Sequence, residues 1–199
     1  MKRIGITGTI ASGKTSLCIL LKRHGFAVFN SDRYAGMCLH AGNPVFEKIV
    51  ENFSEDILDE TGDVDRKKMA SIVFQDEEKR LLLNSLVHPY VREGMEKFFE
   101  NQKGKFAFAE VPLLFEAGME DAFDEICVVT CSYETAVKRM MEDRDYTREE
   151  ADRRYNSQYD PEYQKSHADT VIENDGTLTE LNEKVNEWLK KLRREKRGA

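Results

Sequence analysis

The run Gly8-Thr9-Ile10-Ala11-Ser12-Gly13-Lys14-Thr15 has the spacing G-x-x-x-x-G-K-[ST] of a phosphate-binding loop. Each fixed position has a chemical reason. Gly8 and Gly13 let the backbone curl so that successive N–H groups face an anion. Lys14 brings a compact positive charge to the β and γ phosphates, and Thr15 offers a hydroxyl to Mg²⁺. A helix opening behind the loop would turn the positive end of its dipole to the same anion. Gly8, Ala11, Ser12, Gly13, Lys14, Thr15 and Ser16 are the candidate ATP-binding residues.

Other residues of suitable type lie far along the chain. The polar stretch from Arg139 to Lys165 holds Arg139, Arg144, Arg148, Arg153 and Arg154. Such a segment can fold over ATP and neutralise a transferring phosphoryl group, or it can be a solvated helix of alternating charge. Arg139, at the core end of the stretch, is the strongest candidate among them. Glu110 ends a predicted strand and reads either as an acid assisting Mg²⁺ through water or as a plain strand-end carboxylate. The chain lacks an Asn-Lys-x-Asp type guanine-reading segment, which favours a small kinase over a switch GTPase.

The elements that must position these groups follow from periodicity. Ile4-Gly5-Ile6 reads as a buried strand entering the loop, and Ser16 to Leu21 as the helix leaving it. Ala27 to Asn30 is a second strand, parallel to the first through a right-handed βαβ crossover, so both end on the sheet edge where ligands bind. Asp32 is thereby near the phosphate loop by topology; the alternative reading is a helix N-cap before Arg33. From Asp32 to about Lys105 the pattern is helical, with a cap at Asp65 and a break expected at His88-Pro89. Pro44 is a predicted helix start.

Phe106 to Val111, Glu125 to Thr130 and Thr170 to Ile172 are the remaining predicted strands. Ser132 is a predicted cap, and Thr147-Arg148-Glu149-Glu150 is a capping box opening a helix toward Tyr159. Leu178, Leu181, Val185, Trp188, Leu189 and Leu192 mark a final amphipathic helix. Its basic end, Lys190 to Arg197, suits a helix C-terminus better than a nucleic-acid tail. The expected architecture is α/β: a parallel five-stranded P-loop core, residues 1–31, 105–138 and 166–199, with a helical substrate-binding insertion at 32–104 and a helical lid at 139–165.

Composition bounds the rest. The 199 residues include 40% hydrophobic and 34% charged, with a net charge of -7, so no overall basic field draws the protein to nucleic acid. No apolar run approaches a membrane span, and no signal peptide is evident. Cys18, Cys38, Cys127 and Cys131 are scattered in apolar contexts and read as reduced buried thiols of a cytoplasmic protein. His24, His40 and His167 show no ligand spacing.

Taken in order, the segments GTIASGKT, NSDRYA, TGDVDRKKMASIVFQD, LVHPYV, VPLLFE, ETAVKR, TREEADRRYNSQ and ADTVIEN resemble the dephospho-CoA kinase family across nearly the whole chain. The resemblance implies transfer of the ATP γ-phosphate to the ribose 3′-hydroxyl of dephospho-CoA, the last step of coenzyme A synthesis. It implies a core, a helical substrate-binding domain and a lid, with Mg²⁺ and ATP as cofactors and a monomer acting without nucleic acid or membrane. By matched position, Asp32 is the expected general base and Lys14 and Arg139 the expected phosphate stabilisers. Thr15 is the expected Mg²⁺ ligand. His88 falls in the insertion, where the match suggests a substrate role; a structural break is the other reading. Leu113, with Leu114 and Phe115, is a substrate-facing apolar wall or core.

Two departures from the family pattern stand out. Thr9 and Ala11 occupy loop positions where glycine is common, and altered affinity is the expected consequence. The family's second lid arginine falls four residues after the first, but position 143 here is Asp and the arginine is Arg144, about 100° round the helix. The alternatives to this reading are a P-loop kinase of a nucleoside or nucleotide, and a nucleotide-binding regulatory module without turnover.

Overall fold

The computed structural model describes residues 1–195, apart from the side chains of 144 and 195. Five strands among them form one parallel sheet in the order β2-β3-β1-β4-β5. β1 (Lys2–Gly8) runs into the phosphate loop and α1 (Lys14–Arg23) leaves it, followed by β2 (Val28–Asn30). Then come α2 (Ser31–Gly36), α3 (Phe46–Phe53), α4 (Arg66–Gln75) and α5 (Glu77–Glu100), before the chain returns as β3 (Phe106–Glu110) and β4 (Glu125–Thr130). α6 (Tyr133–Arg144), α7 (Arg148–Asn156), α8 (Pro161–Ser166), β5 (Thr170–Glu173) and α9 (Leu178–Glu195) complete it.

The chain divides into two compact units, Met1–Phe29 with Gln102–Ala199, and Asn30–Asn101. In the first, β3 and β4 are buried along their whole length, as a parallel sheet covered on both faces requires. Leu17, Leu20 and Leu21 of α1 and Leu181, Val185, Trp188, Leu189 and Leu192 of α9 join one core with Ile4, Phe108 and Val129. Each such side chain fully removed from water contributes about 1.5–3 kcal/mol. Glu125, a buried acid in this layer, is paired: it meets Lys2 and accepts hydrogen bonds from Trp188 Nε1 (3.2 Å) and Thr170 Oγ1 (3.1 Å).

The second unit packs Phe46, Ile49 and Phe53 of α3 and Met69 of α4 around Cys38, Ile57 and Val64. The break expected at His88-Pro89 does not occur: Pro89 lies inside a continuous 24-residue α5. Leu82, Leu83, Leu86, Val87 and Tyr90 pack on that core from both sides of the proline. The helical bond lost at Pro89 belongs to the carbonyl of Ser85, an exposed residue that water reaches. Pro44 precedes rather than starts its helix, which begins at Phe46. Cys131 falls one residue beyond β4.

Candidate functional site

The caps anticipated at Ser132, Asp65 and Thr147 are present, the last as a full capping box. Lys190 to Glu195 of the basic C-terminal end lie in α9, whereas Lys196 and Arg197 lie outside the described residues. Within the first unit, the phosphate loop is shaped by two backbone positions that exclude side chains. Gly8 has φ 140°, and a Cβ there would run into the Val129 carbonyl of β4. Gly13 has φ 95°, and a Cβ there would collide with the Asn174 amide. Asn174 Nδ2 donates to the Ser12 carbonyl at 2.7 Å, buried between loop and sheet. α1 then begins at Lys14 with no side chain capping it, so its first-turn N–H groups are the donors a helix leaves outside its own ladder.

Lys14 Nζ donates to the carbonyls of Gly8 and Thr9, both at 2.8 Å, which draws the ammonium over the loop. Thr15 Oγ1 donates to Glu110 Oε1 at 2.9 Å, and Glu110 is only 4% exposed at the end of β3. Arg139 projects from α6 and donates through one guanidinium nitrogen to the Ala11 carbonyl (3.1 Å) and through the other to the Gly176 carbonyl (3.4 Å). Ala11, Gly13, Thr15, Ser16, Arg139 and Asn174 line a pocket of about 270 Å³. Asp143, one helical turn from Arg139, also lines it and brings a carboxylate to the same pocket. The side chain of Arg144 lies outside the description. A cavity of about 490 Å³ between Phe26, Phe106 and Arg193 involves the start of β3, the edge opposite the loop.

Thr15 and Glu110 make an all-oxygen donor set, as a hard divalent cation requires. No group of three or more His, Cys, Asp or Glu side chains among the described residues could hold a metal ion. Mg²⁺, which keeps several waters and bridges phosphates, does not need one.

Ala11 has φ 56°, a left-handed conformation costing a non-glycine residue about 1 kcal/mol. A glycine at this position would be free of that strain. Ser12 is fully buried and its Oγ has no hydrogen-bond partner among the described residues. Asn174-Asp175-Gly176, the turn after β5, is tied to the phosphate loop, to the N-terminus of α6 and to Arg139. Asp175 Oδ1 accepts the Ser132 N–H at 2.7 Å.

The remaining candidates separate. Leu113 is 52% exposed in the turn after β3, whereas Leu114 and Phe115 are buried core. Asp32 and His88 belong to the second unit. Asp32 lies in the first turn of α2, but it does not cap that helix: Asn30 does, its side chain accepting the Arg33 N–H at 2.7 Å. Tyr34, two residues on, stacks on Tyr90 of α5 with centroids 4.9 Å apart and packs directly on Gly94. His88 is solvent-facing on α5, with its imidazole pulled below the ordinary range by partial desolvation. His40 pairs with Asp63 at 2.7 Å and His167 stacks on Tyr163, both away from ligand clusters.

All four cysteines are free and buried. Desolvation raises every one of these thiols, Cys38 to about 11, so they stay protonated at neutral pH. No described helix is long and apolar enough to cross a membrane.

Two residues of the site carried no sequence signal beyond their segment. Gln158, between α7 and α8, accepts the Ile10 N–H at 2.6 Å. Asn174 supports the loop across 162 residues. α8 itself was not anticipated, although Asp160-Pro161 is a cap-and-first-turn pair that marks a helix start.

The family model described as dephospho-CoA kinase matches residues 2–180. A dephospho-CoA kinase of Bacillus licheniformis is 38% identical over 189 residues, 94% of either chain. A crystal structure from Thermus thermophilus superposes with TM-score 0.82 at 30% identity, over 96% of this chain and 97% of that one. The dephospho-CoA kinase from Campylobacter jejuni superposes with TM-score 0.72 at 27% identity, over 96% of each chain.

Proposed function

The chain belongs to the dephospho-CoA kinase family and is a phosphotransferase of the last step of coenzyme A synthesis, and we propose that Asp32, Lys14 and Arg139 carry its chemistry. The observation that supports the donor half most directly is the convergence of Lys14, Arg139 and the Thr15–Glu110 pair on one phosphate loop.

ATP is the phosphoryl donor, its triphosphate held by the loop from Gly8 through Ser16. Asp32 orients the ribose 3′-hydroxyl of dephospho-CoA and takes its proton as the new O–P bond forms and the bond from the γ-phosphorus to the departing ADP oxygen breaks. In a loose transition state, charge spreads over the equatorial phosphoryl oxygens, so positioning and neutralisation outweigh base strength. Lys14 neutralises from the loop side. Arg139 has five N–H donors in a fixed fork, so its two carbonyl contacts leave it able to turn others toward phosphate. Thr15, with Glu110 behind it, would hold Mg²⁺, which supplies positive charge to the β and γ phosphates when bound.

Residues 32–104 form the acceptor-binding domain in this reading, with His88 presenting a neutral imidazole, and residues 139–165 form the lid. Leu113 offers an exposed apolar contact to the acceptor. The free cysteines fit a reducing cytoplasm, and the enzyme works as a monomer.

The test is a coupled ADP-release assay with ATP and a panel of acceptors. Dephospho-CoA should support turnover about 10⁴-fold or more above any nucleoside, the scale by which a site built for polar groups rejects analogues lacking them. Turnover with nucleosides and none with dephospho-CoA would overturn the acceptor assignment.

A further inference from the structure

The tip of the phosphate loop is held at three points by the α6–α8 region. Gln158 Oε1 accepts the Ile10 N–H at 2.6 Å, across 148 residues of chain. Arg139 donates to the next carbonyl, that of Ala11. The side chains of Ile10 and Ala11 pack on Cys131, Ala136, Val137, Met140 and Ala151, a cluster built by α6 and α7 with the residue after β4. A loop with glycine at these positions would have no such packing. Here the left-handed turn at Ala11 persists because its surroundings over-determine it, as a strained backbone position requires.

We propose that Gln158 is a positioning residue for the nucleotide. Its amide oxygen fixes the Ile10 N–H and so holds the Ile10–Ala11 turn in the left-handed form that sends the following N–H groups of the loop toward the triphosphate. The Ile10 N–H is already taken, so it is not itself a phosphate donor. The ordering of the α7–α8 connection and the ordering of the loop are then one event, and a chain in which they separate binds ATP through a smaller competent fraction. This inference rests on the reading of the loop as a triphosphate site.

Packing and hydrogen bonding at position 158 are separable. Gln158→Met keeps the reach and bulk of the side chain and removes the acceptor, while Gln158→Glu keeps an acceptor oxygen. Loss of one partly buried hydrogen bond should raise the dissociation constant for ATP, measured without acceptor, about five- to tenfold in Gln158→Met. The kcat at saturating ATP and the KM for dephospho-CoA should stay within about twofold, because the bond is spent on loop geometry before chemistry. Exchange of the Ile10 amide proton, read by NMR, should accelerate about tenfold or more in Gln158→Met and remain slow in Gln158→Glu.

Unchanged ATP affinity in Gln158→Met would overturn the proposal, as would unchanged Ile10 exchange. So would a parallel loss of folding stability and of every kinetic parameter, which is what a merely structural tie produces. If the wild-type protein bound ATP but phosphorylated no dephospho-CoA, the activity reading would fall. The ATP-binding and amide readouts would still decide the role of Gln158.

Discussion

The hydroxyl of Thr15 donates to the carboxylate of Glu110 at 2.9 Å, joining the first turn of the helix behind the phosphate loop to the end of the neighbouring strand. The register makes this contact possible: Ile6 of β1 pairs with Glu110 of β3, so the acid stands beside the strand two residues before it ends at Gly8 of the loop. Glu110→Gln keeps an acceptor for Thr15 but removes the charge behind it. The Mg²⁺ concentration for half-maximal activity should rise about tenfold, the scale of an outer-shell change at a metal site, with the fold intact. An Mg²⁺ titration of initial rate at fixed ATP checks this. An unshifted midpoint would reduce Glu110 to a strand-end acid.

Asn174 should matter for nucleotide binding although it precedes only a short surface turn. Asn174→Ala removes the donor to the buried Ser12 carbonyl, and an unsatisfied buried acceptor costs about 1–3 kcal/mol. Thermal unfolding with and without ATP should show a lowered midpoint and a smaller ATP-induced rise. Gly13→Ala pushes a methyl into the same amide from the other side and should abolish ATP binding altogether.

Gly94 is the place where α5 admits the ring of Tyr34, and Tyr34 is on the helix that carries Asp32. A methyl at Gly94 would occupy the ring's position, an overpacking change costing about 1–3 kcal/mol. Gly94→Ala should therefore lower stability and raise the KM for dephospho-CoA, while ATP affinity measured without acceptor stays near that of the wild type. Equal losses on both substrates would deny that the effect passes through α2.

Asp175 gives an acid-sensitive contact. Burial works against its charge, but hydrogen bonds from the Ser132 N–H and from the Thr135 and Ser132 hydroxyls, with Arg139 nearby, hold its carboxyl below the ordinary range. A depressed carboxyl stabilises the fold fully above its unfolded value of about 3.9. That stabilisation is lost as pH falls from there through the lower folded value. Asp175→Asn should flatten this acid limb in a series of melting temperatures below about pH 4. A wild-type slope in the variant would show that other carboxyls account for the limb.

Much of the donor site was legible because its groups are local. A glycine spacing, a lysine and a threonine lie within eight residues, and the strand and helix around them have opposite periodicities. Ser132, Asp65 and Thr147 were legible as caps for the same reason: their partners are two or three residues away. Contacts that span the chain left no such trace. Gln158 and Asn174 are amides whose partners are loop backbone atoms more than a hundred residues off.

Local rules also misled where tertiary packing was stronger. Pro89 breaks a helix by its own chemistry, yet apolar contacts before and after it carry α5 through. At the start of α2, Asn30 and Asp32 are both competent caps, and the backbone selects Asn30 because it is the extended residue. That leaves capping out of the account of why an acid stands at position 32.

The most direct measurement is single-turnover phosphoryl transfer from ATP to dephospho-CoA by the wild type and by Asp32→Asn, alongside ATP binding to each. The variant should fold and bind ATP as the wild type does while the transfer rate falls about 10²–10⁴-fold, the range of a lost general base. Transfer at close to the wild-type rate in Asp32→Asn would contradict the account.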